Sequence, residues 1–407
     1  SKNGLTKPRA IRGEGIKFIN MGELFQSHRI GDIQTERVPV TEKELREALL
    51  QEGDLLFARQ SLVREGAGKC SVVTEVSEPT TYDSHLIRVR LDRKVANPYF
   101  FQYYFSSALS PIPGIVSQCA QAGIKGTDLG NLDVFCPNLD LQNRIVDVLE
   151  AYDKLIENNR RQIALLEEAA QRLYKEWFVD LRFPGYETTP IIGGLPEGWR
   201  KVALGSFIES HIGGGWGSET STSDFNVEAF VVRATDISNI SNGNLSLPLR
   251  WHKESNFRTR SLAEGDIVFE VSGGSKEVGV GRSMIVSKQF LKALDRPVIC
   301  ASFCKKIRCR SVSDAYLLYE QIQMDLTAGG VRKYEKRSAG NIINFHWEDF
   351  LKSYQVIVPD DGTLSLFSIQ ISCIRKQAEN CKMLCMLAKE ARDRLLPKLV
   401  SGEIEVG

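Results

Sequence analysis

Residues 145–177 read IVDVLEAYDKLIENNRRQIALLEEAAQRLYKEW, and the spacing of their apolar positions decides the fold. Ile145, Leu149, Tyr152, Ile156, Asn159, Ile163, Leu166, Ala170, Leu173 and Trp177 alternate steps of four and three, and Asn159 is the only polar member. A 3.5-residue period held over about 35 residues is a coiled-coil seam, narrower than the stripe of a helix lying on a core. At about 1.5 Å per residue the helix is roughly 50 Å long, beyond what one small domain can cover. The plainer alternative is that the helix packs only on its own domain.

The seam recurs 222 residues later as Phe367, Ile371, Ile374, Ala378, Cys381, Cys385, Ala388, Arg392, Leu395 and Leu399. Val134-Phe135-Cys136-Pro137 and Val356-Ile357-Val358-Pro359 precede the two helices in the same register. Further upstream the match loosens but keeps its order. Glu52-Gly53-Asp54-Leu55-Leu56-Phe57 resembles Glu264-Gly265-Asp266-Ile267-Val268-Phe269, each a Gly-Asp turn entering a buried strand. Ile16 to Met21 resembles Ala229 to Ala234, and Gly68 to Val73 resembles Gly281 to Val286. The expected fold is therefore α+β: two repeated β-rich domains, each followed by a long helix. The boundaries fall at 1–140 for the first domain, 141–182 for the first helix, 183–204 for a Gly/Pro-rich linker, 205–360 for the second domain and 361–407 for the second helix and tail.

With 407 residues, 42% hydrophobic and 25% charged, the chain suits two domains with connectors and excludes a wholly disordered one. Mean hydropathy is −0.20. No apolar run reaches about 18 residues, and Ser1-Lys2-Asn3-Gly4 opens no signal-peptide core, so a cytoplasmic protein is expected. Net charge is +1, with 17 basic and 17 acidic side chains in residues 1–140 and 21 and 20 in residues 183–360. If nucleic acid is the partner, charge must be segregated on the surface. The nine cysteines contain no CxxC, which points to reduced, packed thiols; Cys300/Cys304 and Cys381/Cys385 would each share a helix face.

Catalytic signatures fail on inspection. Gly66-Ala67-Gly68-Lys69 lacks the first glycine and the Ser/Thr of a phosphate loop, since Val63 and Cys70 stand there. Asn97-Pro98-Tyr99 lacks the second proline of an amino-methyltransferase motif and reads as the start of a buried aromatic helix, and the glycines of 213–217 lack a dinucleotide-loop context. The five histidines have no metal spacing, so neither a catalytic nor a metal site is assigned. What remains is polar, cationic loops suited to a phosphate backbone. These are Arg59, Gln60, Ser61, Arg64, Lys69 and Lys125 in the first domain, and Ser275, Lys276, Arg282, Arg332, Lys333, Tyr334, Lys336 and Arg337 in the second. Lys305 to Arg310 alternates as a strand with one cationic face.

Two variable β-rich domains with nearly repeated helices resemble the specificity (S) subunit of type I restriction-modification enzymes. Pro196-Glu197-Gly198-Trp199-Arg200-Lys201-Val202-Ala203-Leu204 is similar to that family's domain-opening segment. Leu173-Tyr174-Lys175-Glu176-Trp177-Phe178 and Leu395 to Ile404 are similar to its helix ends. No counterpart of Trp199 to Phe207 precedes Ser1, so the first domain is expected to be truncated there or to lack that segment. The resemblance implies two target-recognition domains reading the halves of a split sequence in double-stranded DNA, held apart by an antiparallel coiled coil. It implies two methylation subunits as partners, and restriction subunits that translocate and cut DNA. S-adenosylmethionine, ATP and Mg would then sit on the partners, with no cofactor on this non-catalytic chain and no membrane partner. The alternative is the recognition half of a fused methyltransferase-specificity protein, or an unrelated enzyme with a dimerising coiled coil.

Overall fold

The structure is a computed structural model that describes residues 1–118, 121–274, 279–337 and 342–405. It divides into two compact units, Ser1–Lys154 with Lys389–Gly407, and Leu155–Ala388.

The first unit is built on a five-stranded sheet in the order Lys2–Asn3, Leu86–Val89, Leu55–Ala58, Cys70–Val73, Arg29–Ile30. Gly53 takes a positive φ of 83°, and the Asp54 carboxylate then accepts from the Gln51 amide at 2.8 Å, so the Gly-Asp turn does enter the central strand. Asp54 is buried and bidentate with Arg90 at 2.6 and 2.7 Å. Two smaller sheets flank it. Ile16–Ile19 pairs with Arg37–Val38 and, in parallel, with Thr80–Tyr82; Ala122–Gly123 pairs with Gln60–Ser61 and Ser117–Gln118. Asn97 caps the helix Pro98–Ser106, its side chain accepting from the Tyr99 amide at 2.9 Å, and the aromatic residues of that helix fill the core as the sequence implied.

The second unit repeats this plan. Ile208–Gly213, Cys304–Cys309, Ile267–Glu270 and Ser283–Ile285 form its main sheet, and Gly265 and Asp266 repeat the turn with Arg308 in the place of Arg90. Val227–Val232 pairs in parallel with Val298–Cys300, and Ile343–Phe345 pairs with Ser272–Gly274 and Glu335–Arg337. The stretch read as a linker is packed. Arg200–Ala203 pairs with Gln355–Val358, while Trp199 lies 4.7 Å from Phe183 between ring centroids and donates to Asp360 at 3.1 Å.

The long helices run over Leu139–Tyr174, extended by a π turn at Lys175–Val179, and over Asp361–Ser401. In the first unit Ile145 and Leu149 share a core with Leu396, Leu399 and Val400. In the second unit the Cys385 thiol reaches the Ile156 carbonyl at 3.5 Å, Cys381 reaches Gln162 at 3.3 Å, and Phe178 meets Phe367 at 4.8 Å. Numbering falls on one helix as it rises on the other, so the pairing is antiparallel. Ile145, Leu149, Ile156, Asn159, Ile163, Ile371 and Leu399 are buried on the seam, and Tyr152, Leu166, Leu173, Ile374 and Leu395 are half-buried. Asn159 satisfies its amide on the Leu155 carbonyl at 2.8 Å. Among the described residues no helix is long and apolar enough to cross a membrane.

Eight cysteines are described, all free, and six of them are buried. Cys381 and Cys385 share a helix, but Cys300 closes one strand and Cys304 opens the next, because the four-residue step spans a turn. Burial pushes the Cys300 and Cys309 thiols up to about 12 and makes them poor nucleophiles.

Candidate nucleic-acid interface

In the first unit the central strand runs past Ala58 into Arg59. The Arg59 amide donates to His85 at 2.8 Å and its carbonyl accepts from Ile124 at 3.0 Å, so its backbone is fixed on both sides. Gly123 lies against it: a Cβ there would stand 3.2 Å from the Arg59 carbonyl oxygen. This junction opens a cleft of about 560 Å³ lined by Lys2, Arg59, Gln60, Ser117, Gln121 and Lys125, among others. No carboxylate lines it, and no ion pair engages Lys2, Arg59 or Lys125 among the described residues. Three cations and two side-chain amides lining one cleft can bind phosphate and base edges.

The structure thus brings Arg59, Gln60 and Lys125 together, with Ser61 next in the strand. Arg64 is exposed and donates to the Pro113 carbonyl at 3.3 Å. Lys69 is otherwise committed, donating to the Phe25 carbonyl at 2.8 Å and lying 5.1 Å over its ring, and burial lowers its pKa. Lys2 and Gln121 escaped sequence reasoning. Lys2 reaches the cleft only because Lys2–Asn3 pairs with Ile87 and Arg88, a contact that no local pattern encodes.

The second unit corrects more. Arg282 is bidentate with Glu270, which is fully buried, at 2.9 and 2.6 Å, so its guanidinium is a structural partner and not a free contact. Tyr334 is only 5% exposed and packs on Phe345, Phe350 and Tyr354. The strand from Lys305 does not present a free cationic face. Lys306 donates to the Thr259 and Ser261 carbonyls, Arg308 holds Asp266, and Lys305 lies 5.1 Å over Trp347. Arg332, Lys333, Lys336 and Arg337 remain exposed, the last two on the strand Glu335–Arg337, whose Glu335 turns inward to accept from Val280. Ser275 and Lys276 lie outside the described residues.

Neutralising Arg332, Lys333, Lys336 and Arg337 together should weaken DNA binding and lower the salt slope by up to about 3.6, at roughly 0.9 for each phosphate the side chains no longer neutralise. Titration of the assembled complex across salt concentrations measures this. An unchanged slope would mean that these cations face only solvent.

The described residues contain no cluster of three His, Cys, Asp or Glu fit for a metal. Two repeated β-rich units, each with exposed cations and each carrying part of the paired helices, are the arrangement to be compared with known proteins. Residues 5–168 match the family described as the type I restriction modification DNA specificity domain. The type I restriction enzyme MjaIX specificity subunit of Methanocaldococcus jannaschii is 22% identical over 98% of this chain and 89% of its own length. The EcoKI specificity subunit of Escherichia coli K12 is 28% identical over 43% of this chain and 41% of its own length. The S subunit structure from M. genitalium shares the fold, with a TM-score of 0.50 at 13% identity over 98% of this chain and 92% of that one. Over nearly its whole length the chain is thus similar to a specificity (S) subunit of a type I restriction-modification system, and residues 5–168 carry the match to the DNA specificity domain.

Proposed function

We propose that each unit reads one half of a bipartite, asymmetric target in double-stranded DNA, and that the two long helices set the unread gap and dock two methylation subunits. The observation that carries the reading is the duplicated framework. The same Gly-Asp turn, bidentate Arg–Asp pair and small three-stranded sheet occur twice, while the exposed side chains on those sheets differ. Equal frameworks with different surfaces suit two readers of different sequences.

Docking is supported by apolar side chains left exposed beside the seam: Leu155 and Leu165 on the first helix, and Leu366, Ile369, Leu384 and Leu387 on the second. Exposed leucines on a long helix suit further helices laid along the pair. S-adenosylmethionine, ATP and Mg then belong to the methylation and restriction subunits, which supply the chemistry.

Exchanging residues 205–355 for the same region of a relative should change one half-site and leave the other intact. Sequencing methylated adenines in DNA modified by the reconstituted complex reads the outcome. A change in both halves would overturn the two-reader model.

A further inference from the structure

Among the described residues, Leu62 is the most exposed large apolar side chain, at 83%, and Val63 beside it is 58% exposed. Water contact on two adjacent apolar side chains is costly, and a tip that simply dangled could fold them back. This tip is built instead. The Ser61 hydroxyl accepts from the Val63 amide at 3.2 Å, and the Gly66 and Ala67 amides close on the Val63 and Arg64 carbonyls at 3.1 and 3.2 Å. A Cβ on Gly66 would fall 2.1 Å from the Ser61 hydroxyl oxygen, so a larger residue there would displace the Ser61 side chain that braces the turn. The turn grows directly from Gln60–Ser61, the strand beside the cationic cleft, and Ser61 is registered against Ala122.

The surroundings select the ligand. Arg64 and Glu65 leave the turn itself nearly neutral, whereas Arg59 and Lys125, without ion pairs among the described residues, give the adjoining cleft positive charge. A ligand that satisfies both must be a polyanion with an apolar interior reachable between its charges. Duplex DNA is one, its base steps open to apolar side chains once unstacked.

We propose that Leu62 and Val63 form a wedge that enters a base step of the half-site bound by the first unit, while Arg59 and Lys125 hold neighbouring phosphates. The proposal rests on the DNA-recognition reading and adds a deformation to it. Unstacking a step costs a few kcal/mol and is least costly at pyrimidine–purine steps, so the wedge would also select sequence at a position with no hydrogen-bonded base contact.

The test uses the full chain assembled with its cognate methylation subunits, and target duplexes with 2-aminopurine placed at successive positions across the half-site. Binding of the unsubstituted complex should raise fluorescence severalfold at one step. Leu62→Ala with Val63→Ala should abolish that rise and weaken binding about tenfold, the loss expected when two apolar side chains leave a base stack. Leu62→Met should retain the signal. Thermal melts should be unchanged, because both side chains are already in water. No rise at any step in a complex that binds and methylates its target would overturn the wedge and leave DNA recognition standing. A double variant that fails to assemble with the methylation subunits without DNA would assign the tip to a protein contact instead. A complex without sequence-specific DNA binding would overturn both readings.

Discussion

Alanine at Glu320 should lower the stability of the second unit by about 3–5 kcal/mol, the cost of leaving a buried charge without its partner. Glu320 sits fully buried on the helix Val312–Thr327 and accepts from Arg375 Nε at 2.7 Å, from Arg375 Nη2, and from Gln171 at 2.6 Å. Arg375 belongs to the second long helix and Gln171 to the first, so one carboxylate ties the helix Val312–Thr327 to both. Burial raises the Glu320 pKa, against the opposing pull of Arg375. Truncation would strand the guanidinium, which stacks 4.9 Å from the Tyr319 ring and is itself nearly buried. Replacing both partners, as Glu320→Leu with Arg375→Met, should recover most of the loss, since an apolar pair of similar volume leaves no charge to desolvate. Urea unfolding followed by tryptophan fluorescence measures both variants. A single-variant loss under about 1 kcal/mol would show that the pair is hydrated and of surface strength.

The first unit solves the same problem with the charges reversed. The position 222 residues before Arg375 is Asp153, which accepts from Arg392 on the opposite helix and from the Tyr103 hydroxyl, while Arg29 holds Glu150 at 3.1 Å. A domain moved from one helix position to the other would meet a charge of the wrong sign. The half-site exchange should therefore succeed only when the incoming domain keeps an acidic residue at the place of Glu320.

The helices and the duplication could be read from sequence because a 3.5-residue period and a fixed 222-residue offset are written in local order. The Gly-Asp turns were legible for the same reason: the positive φ and the capping carboxylate are adjacent residues. The candidate interface was legible only where exposure needs no distant partner, as at Arg332 and Lys336. Arg282 looked free because Glu270, its partner, faces it across a strand pairing twelve residues away. The cations after Cys304 looked like one face because alternation distinguishes sides of a sheet but not which carbonyls and carboxylates lie opposite. Tyr334 sits in sequence among loop cations suited to a phosphate backbone, yet it packs against Phe345 and Phe350, which no spacing around Tyr334 announces.

Adding one heptad to both long helices should lengthen the unread spacer of the target by about three base pairs while each half-site keeps its sequence. Seven residues at about 1.5 Å each add roughly 10 Å of helix, and a base pair occupies about 3.4 Å. The insertions belong after Asn159 and after Lys382, between the paired contacts of Ile156 with Cys385 and Gln162 with Cys381, so that both helices grow at one level. Seven residues return the seam to phase, whereas four would introduce a stutter and change the supercoil. Modification should also become less efficient, because three added base pairs rotate one half-site by roughly a third of a turn relative to its reader. Methylated adenines mapped across a plasmid library, in complexes with and without the insertions, read spacer length directly. The outcome separates two roles for the helices that their packing alone leaves equivalent, a ruler between the readers and a platform for the methylation subunits. A complex that still methylates at the original spacing would keep the platform and exclude the ruler.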